Sequence, residues 1–263
     1  VDPSSQCPEG FTEDQRGKPN GFMGEVDILD TWATSSLTPQ LAGGWISDPE
    51  KYAKVFPFTL RPQGQDIIRT WLFSTVLRSF QEENQLPWSD TALSGWILDP
   101  DRKKMSKSKG NVVVPNDLLD EHGSDAVRYW ASAARLGTDA AFDVGQMKVG
   151  RRLAIKVLNA AKFVLSFELA SDRVEVTEAI DKAMVAALAE VVAGATKAFE
   201  SYDHTKALEL TESFFWNFTD DYLELVKERA FGQSTDPAAQ ASAVSALRIA
   251  LLAITKLLAP FIP

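Results

Sequence analysis

The chain has 263 residues, of which 45% are hydrophobic and 24% are charged, and its net charge at pH 7 is −9. This composition is typical of a soluble globular protein, and the length is enough for about two domains. The single cysteine, Cys7, excludes an intrachain disulfide and a multi-cysteine zinc site, so we expect no zinc in this chain. The sequence shows no apolar run of membrane-spanning length and no signal peptide, and we therefore expect a cytoplasmic protein with no membrane partner.

Charge is unevenly distributed along the chain. Residues 1–100 carry 7 Lys or Arg against 14 Asp or Glu, and residues 161–263 carry 9 against 15. Residues 101–160, in contrast, carry 11 Lys or Arg against 7 Asp or Glu. Because contact with phosphate depends on local charge rather than on the total, this central block is the candidate region for a phosphate or nucleic-acid partner.

The first hundred residues read as strands alternating with helix. The pattern predicts an irregular segment over residues 1–25, a strand over 26–32 and a second strand over 56–61, followed by a turn. Asp66 is predicted to cap a helix that continues to Phe80, and a further strand ends at Leu98. Strand, turn, helix and strand in this order are typical of a parallel α/β sheet, in which ligands bind at the carboxyl ends of the strands.

From Pro115 onward the sequence is helical. A short helix is predicted to stop at Gly123, and Ser124 is predicted to cap the next one. Four long helical patterns follow, at residues 146–168, 178–200, 204–230 and 236–258. Asp203 and Asp236 are good caps at their starts, and this succession predicts an antiparallel helix bundle.

Five cations lie within eight residues of the basic block, from Arg102 to Lys109. Lysine provides a point charge, and serine hydroxyls and loop N–H groups provide hydrogen-bond donors, so such a loop is suited to holding phosphates. The alternative interpretation is a solvated surface loop.

Residues 104–108 of this run read KMSKS, which matches the second signature of the class I aminoacyl-tRNA synthetases. Residues 27–36 (DILDTWATSS) and 61–71 (RPQGQDIIRTW) resemble segments of the valine-specific branch of that family, and residues 125–130 (DAVRYW) are similar to a segment further downstream. The resemblance spans roughly residues 24–168, whereas the later helices are similar to the family's anticodon-binding bundle only in pattern.

This resemblance implies an α/β partial Rossmann-type nucleotide-binding domain followed by an all-α helical bundle. Residues 1–99 are expected to be the C-terminal half of the catalytic domain, residues 100–145 the KMSKS loop and a linker that contacts the tRNA stem, and residues 146–263 a truncated anticodon-binding domain.

The resemblance also implies the chemistry, in which an amino acid carboxylate attacks the α-phosphate of ATP, accompanied by Mg²⁺, and pyrophosphate leaves. The catalytic residues implied are Lys104 and Lys107, which would neutralise phosphate charge. The ATP-binding residues implied are Gly64, Asp66, Lys104, Ser106, Lys107 and Ser108. The walls of the amino acid pocket implied are Trp32 and Trp71. A buried core position is the alternative for each tryptophan, and a plain helix cap is the alternative for Asp66.

A basic stripe opens the first long helix. Lys148, Arg152 and Lys156 share one face by their i, i+4 spacing, and Arg151 lies next to them. We expect these four residues to contact the backbone of tRNA, and a solvated helix face is the alternative. The resemblance to the valine-specific branch implies valine and tRNA(Val) as the partners.

Several features of the family pattern are missing. The first signature, HIGH, and the editing domain are absent, Gln65 stands where His is expected, and Ala33 stands where Phe is usual. The sequence also lacks an initiator Met, so we expect a fragment, and without HIGH we expect this fragment to be inactive alone. The alternatives are an isoleucine- or leucine-specific synthetase, or a tRNA-binding helical module without catalysis. A kinase is disfavoured because the phosphate-loop pattern GxxxxGK[ST] is missing.

Overall fold

The computed structural model describes residues 6–24, 31–168, 175–233 and 236–263. The chain divides into two compact units, Val1–Thr91 and Ala92–Pro263.

The first unit mixes short helices with strands. Its elements are α1 (Thr31–Ser35), α2 (Thr38–Gly43), α3 (Pro49–Val55), β1 (Phe58–Gly64), α4 (Phe73–Glu83) and β2 (Trp88–Ser94). β1 and β2 pair in a two-stranded sheet. The side chain of Asp48 accepts a hydrogen bond from the backbone N–H of Lys51, and Pro49 follows it, which explains why α3 begins there.

Both predicted strands of this unit differ from the structure. Residues 25–30 lie outside the described residues, and the last two residues of the predicted strand, Thr31 and Trp32, begin α1. The second strand starts later than predicted and continues through the expected turn to Gly64. Pro62, which suggested the turn, lies within β1, and proline is tolerated in strands at sheet edges and bulges.

The helix predicted to begin at Asp66 has three parts. A 3₁₀ turn (Gln65–Ile67) leads into a π-helical turn (Ile68–Leu72), and α4 follows. The prediction that Asp66 caps this helix is wrong: Asp66 lies inside the 3₁₀ turn, and no side chain caps that turn. Periodicity predicts a helix here, but it does not distinguish 3₁₀, π and α winding, which differ in their backbone hydrogen bonds.

The second unit contains a short parallel pair of strands, of which the first precedes all the helices and the second follows the first two of them. β3 (Ile97–Leu98) pairs with β4 (Ala140–Ala141), and the side chain of Asp139 accepts a hydrogen bond from the N–H of Trp96 at 2.7 Å. A Cβ on Gly95 would lie 2.1 Å from the carbonyl oxygen of Thr138, so this close approach requires glycine.

The second unit continues with seven α-helices within the described residues. They are α5 (Pro115–His122), α6 (Ser124–Ser132), α7 (Val144–Leu165), α8 (Ala179–Glu200), α9 (His204–Asn217), α10 (Leu223–Ala230) and α11 (Pro237–Leu258). A π-helical turn (Phe218–Tyr222) joins α9 to α10. The four long helical predictions are confirmed, and Asp203 and Asp236 cap α9 and α11 as predicted. Ser124, however, is the first residue of α6 and does not cap it; Gly123 occupies the cap position.

Helices α7 to α11 share one hydrophobic core. Leu153 and Val164 of α7, Phe215 of α9 and Leu247 of α11 are at most 1% exposed. By length and composition alone, α11 could cross a membrane, because an 18-residue window within it has a mean hydropathy of 1.7. This differs from the expectation that the chain has no apolar run of membrane-spanning length. In this structure 56% of that window is buried, because α11 packs within the core.

A buried carboxylate, that of Asp181 on α8, joins three elements of the bundle. It accepts hydrogen bonds from the Tyr222 hydroxyl at 2.7 Å, from the Ser242 hydroxyl at 2.6 Å and from both terminal nitrogens of Arg229 at 2.6 and 2.8 Å. Burial raises the pKa of Asp181, but the hydrogen bonds from Arg229, Ser242 and Tyr222 outweigh burial and hold the pKa below its ordinary value.

Candidate functional site

The KMSKS loop connects the end of β3 to the start of α5. Lys104 forms an isolated antiparallel bridge with Leu98, and the N–H of Asp99 donates to the carbonyl of Lys103 at 2.9 Å. A 3₁₀ turn (Lys107–Lys109) follows, and Gly110, with a φ of 66°, ends it. The loop therefore has a defined backbone path.

Asp99 and Asn111 bond to the backbone of this loop. The Asp99 carboxylate accepts from the N–H of Lys103 at 2.7 Å and from the side-chain amide of Asn111 at 2.8 Å. The hydrogen bonds from Lys103 and Asn111 lower the pKa of Asp99. The Asn111 side chain also accepts from the N–H of Ser106 at 2.9 Å and donates to the carbonyl of Lys104 at 3.3 Å.

The predicted phosphate-binding side chains lie along this loop. The Lys104 ammonium lies over the Trp96 ring, with its Nζ 3.6 Å from the ring centroid. The hydroxyl oxygens of Ser106 and Ser108 are 3.2 Å apart and share a hydrogen bond. The side chain of Lys107 is outside the described part of the structure.

Gly64 and Asp66 lie together in the first unit, where β1 ends. Asp66 is exposed, and its Oδ1 would be 2.6 Å from a Cβ on Gly64, so the carboxylate folds over the glycine backbone. The structure therefore brings these two predicted ATP-binding residues close to one another, and their role stays a prediction.

Trp71 is packed on both sides. The Arg61 guanidinium lies 3.9 Å from its ring centroid, and the Trp88 ring stacks at 5.9 Å and 11°. Its indole N–H donates to the carbonyl of Ser35 at 2.9 Å, and it is 3% exposed. Trp32, in α1, is 36% exposed. The predicted pocket walls thus differ: Trp71 occupies the core of its unit, and Trp32 lies at the surface.

Neither partner of the Trp71 ring was predicted from the sequence. Arg61 is part of the RPQG motif but received no role, and Trp88 lies outside every motif. Burial lowers the pKa of Arg61. No sequence signal pairs Trp88 with Trp71, because their contact forms only when the strand and the helix pack.

The basic stripe lies on the exposed side of α7, as predicted. Its members Lys148, Arg151, Arg152 and Lys156 line a single surface depression. Lys156 forms an ion pair with Asp220 at 3.0 Å, and this contact lowers the pKa of the Asp220 carboxyl. Lys156 is one of three stripe residues whose side chains contact other parts of the protein, and Arg151 and Arg152 are the other two.

Arg152 and Arg151 connect the stripe to neighbouring helices. The Arg152 guanidinium lies 5.6 Å from the Trp216 ring centroid, and Arg151 donates to the carbonyl of His122 at 2.9 Å. Because His122 ends α5, the helix after the KMSKS loop, Arg151 links the stripe to the segment that leaves the loop.

Comparison with known proteins identifies the family. Residues 8–143 match the family described as tRNA synthetases class I (I, L, M and V). The chain belongs to the class I tRNA synthetases. Residues 181–263 of this synthetase chain match the anticodon-binding domain of tRNA ligase, which confirms the weak resemblance of the later helices.

Several curated relatives of the synthetase chain are named valine–tRNA ligase. The chain is 65% identical over 268 residues to the valine–tRNA ligase of Thermobifida fusca and 54% identical over 264 residues to that of Cutibacterium acnes, and both alignments cover the whole chain. The chain spans about 30% of the length of these relatives.

Solved structures share the fold of the synthetase chain at low identity. Mycobacterium tuberculosis methionyl-tRNA synthetase in complex with methionyl-adenylate gives a TM-score of 0.69 at 20% identity, covering 94% of this chain and 49% of that one. The LeuRS in the ternary complex LeuRS–tRNA–LeuAMS from Agrobacterium radiobacter K84 gives 0.68 at 20% identity, covering 92% and 31%.

Proposed function

We propose that the protein containing this chain is a cytoplasmic valine–tRNA ligase, which joins valine to tRNA(Val) through a valyl-adenylate. The identity of 54–65% to valine–tRNA ligases over the whole chain carries this proposal. The KMSKS loop supports it, since its lysines and hydroxyls suit a triphosphate.

In this proposal the chain supplies part of an ATP site. The valine carboxylate attacks the α-phosphorus, pyrophosphate leaves, and the tRNA terminal hydroxyl then displaces AMP. Lys104 and Lys107 neutralise the charge that develops on the leaving pyrophosphate, and Ser106 and Ser108 donate hydrogen bonds to it. Gly64 allows the nucleotide to approach the backbone, and Asp66 accepts from the ribose hydroxyls.

Mg²⁺ would enter with the ATP phosphates. Among the described residues, no three His, Cys, Asp or Glu side chains cluster where they could hold a metal ion. Mg²⁺ often binds through substrate phosphates, with one or two carboxylates or none from the protein, so these residues are compatible with nucleotide-borne Mg²⁺.

The finer division of the chain belongs to the same proposal. Residues 1–99 would be part of a Rossmann-type catalytic domain, residues 100–145 the loop and linker, and residues 146–263 an antiparallel anticodon-binding bundle. Trp32 and Trp71 would shape the valine pocket, Trp71 from within the core. The α7 stripe would contact the tRNA backbone through Lys148, Arg151, Arg152 and Lys156.

Amino-acid-dependent exchange of pyrophosphate into ATP tests the proposal. We expect a full-length ligase that contains this chain to exchange with valine, and the 263-residue chain alone to show none, because it lacks the HIGH signature. Exchange with isoleucine or leucine instead of valine would assign the protein to another branch of the family. Binding of tRNA by the full-length protein without any exchange would favour a non-catalytic tRNA-binding module.

A further inference from the structure

Two side chains at the ends of the KMSKS loop, Asp99 and Asn111, have no part in the chemistry described above. Asp99 follows β3 and is 8% exposed, and Asn111 follows the 3₁₀ turn. They are twelve residues apart in sequence and bond directly to each other at 2.8 Å, so one side-chain contact closes the loop at its base.

The Asn111 amide also reaches into the loop. Its oxygen accepts from the N–H of Ser106, and its nitrogen donates to the carbonyl of Lys104, so one side chain holds the backbone on both sides of Met105. The Asp99 carboxylate accepts a hydrogen bond from the N–H of Lys103, the residue before Lys104. The backbone on either side of Lys104, from Lys103 to Ser106, is therefore bonded to two side chains outside the signature.

The hydrogen-bonding capacity of Asp99 fixes the orientation of the Asn111 side-chain amide. An ionised carboxylate only accepts hydrogen bonds, so Asn111 turns its NH₂ group toward Asp99, and its oxygen is left to accept from Ser106. Replacing one oxygen of Asp99 with NH₂, or the NH₂ of Asn111 with oxygen, therefore breaks a donor–acceptor match. The network is directional, and its stability depends on which residue carries the acid.

We propose that Asp99 and Asn111 are positioning residues, which hold the Lys104–Ser106 backbone so that the loop meets the phosphates in one geometry. This inference rests on the proposed function. Neither residue needs to touch ATP, because their effect passes through the backbone of the loop. A rigid loop loses less conformational freedom when it binds phosphate, and a small displacement of a catalytic group costs a large factor in rate.

A reciprocal exchange of the two residues tests the proposal in a full-length ligase containing this chain. In Asp99→Asn, the new amide has one acceptor for two donors, and in Asn111→Asp, two carboxylates face each other. In the double variant, the amide at position 99 accepts from the N–H of Lys103 and donates to the carboxylate at position 111, which in turn accepts from the N–H of Ser106. Three of the four hydrogen bonds are thereby restored.

We expect each single variant to lower kcat for ATP–pyrophosphate exchange about tenfold or more, while the KM for valine is unchanged, and the double variant to recover most of the loss. Asp101→Asn is the matched control, because the exposed Asp101 carboxylate lies in the same loop and pairs with the Lys103 ammonium at 3.6 Å rather than with the restrained backbone. Singles that keep the wild-type kcat, or a double variant slower than both singles, would overturn the positioning role. Failure of the wild type to exchange with any amino acid would instead overturn the proposed function, and this inference with it.

Trypsin cleavage between Arg102 and Lys109 provides a readout that does not depend on catalysis. We expect cleavage of the folded protein to be faster in each single variant and slower again in the double variant, because the network restrains this backbone. Equal cleavage rates in all four proteins would contradict the proposal, even if kcat changes.

Discussion

Lys104 has a partner before any nucleotide arrives. Its ammonium lies 3.6 Å from the centroid of the Trp96 ring, and Trp96 directly precedes β3. Such a contact is worth little at an exposed site, but it holds the same charge that a phosphate would attract. In the proposed complex with ATP, the Lys104 ammonium would therefore leave this contact.

Replacing Trp96 with leucine is expected to strengthen ATP binding. Without the ring, the Lys104 ammonium has no aromatic partner to leave, so the KM for ATP in pyrophosphate exchange should fall about two- to fivefold. Trp96→Phe is the control, because it keeps an aromatic face and should remain close to wild type. A KM for ATP that rises in Trp96→Leu would mean that the ring instead presents Lys104 to the nucleotide.

At the scale of elements, α7 has an apolar face and a basic face. Leu153 and Val164 face the bundle core, and the basic stripe faces solvent. Gly150 allows α7 to approach α6, since a Cβ there would lie 2.5 Å from the Cβ of Tyr129. The Tyr129 hydroxyl in turn donates to Glu212 of α9 at 2.7 Å, and so α6, α7 and α9 are fixed relative to one another.

Reversing one charge of the stripe tests its proposed contact with tRNA. Arg152→Glu should weaken tRNA binding by the full-length ligase and reduce the dependence of log K on log salt concentration by about one, because a phosphate contact is lost. Lys162→Glu is the matched control, since Lys162 lies on α7 outside the stripe and carries the same charge. An identical salt dependence for Arg152→Glu and the wild type would exclude a phosphate contact at this residue.

The buried Asp181 network is expected to stabilise the bundle. Asp181→Asn leaves the Arg229 guanidinium without its charged partner, and loss of one member of a buried pair costs about 3 kcal/mol or more. Amide hydrogen exchange in α8 and α10 measures this locally. Lys206→Ala, which breaks an exposed ion pair with Glu209, should change the same exchange rates little.

The pH dependence of the same exchange follows from the lowered pKa of Asp181. A carboxyl with a pKa below its unfolded value of about 4 stabilises the fold fully above that value, and the contribution is lost as the pH falls through the folded pKa. Protection of α8 should therefore decrease more steeply below about pH 4 in the wild type than in Asp181→Asn. Parallel decreases in the two proteins would show that other carboxyls dominate acid unfolding of the bundle.

At the scale of the whole molecule, the two units depend on their sequences in different ways. The bundle could be predicted well, because long amphipathic helices repeat an apolar position every three to four residues and begin at Asp203 and Asp236. The first unit could not be predicted as well. Short strands carry few periods, and residues such as Pro62 and Asp66 have local preferences that packing overrides.

The sequence by itself determined the family, the KMSKS loop and the basic stripe, since each is a run of neighbouring residues whose order is the signal. Only the tertiary structure decided which groups meet across the chain. Arg128 of α6 donates to the carbonyls of Pro260 and Phe261, more than 130 residues away, and Trp71 lies between Arg61 and Trp88. The physical reason is that such pairs share no local pattern. Their contacts form when elements distant in sequence pack together, and packing depends on the shape and burial of the whole fold.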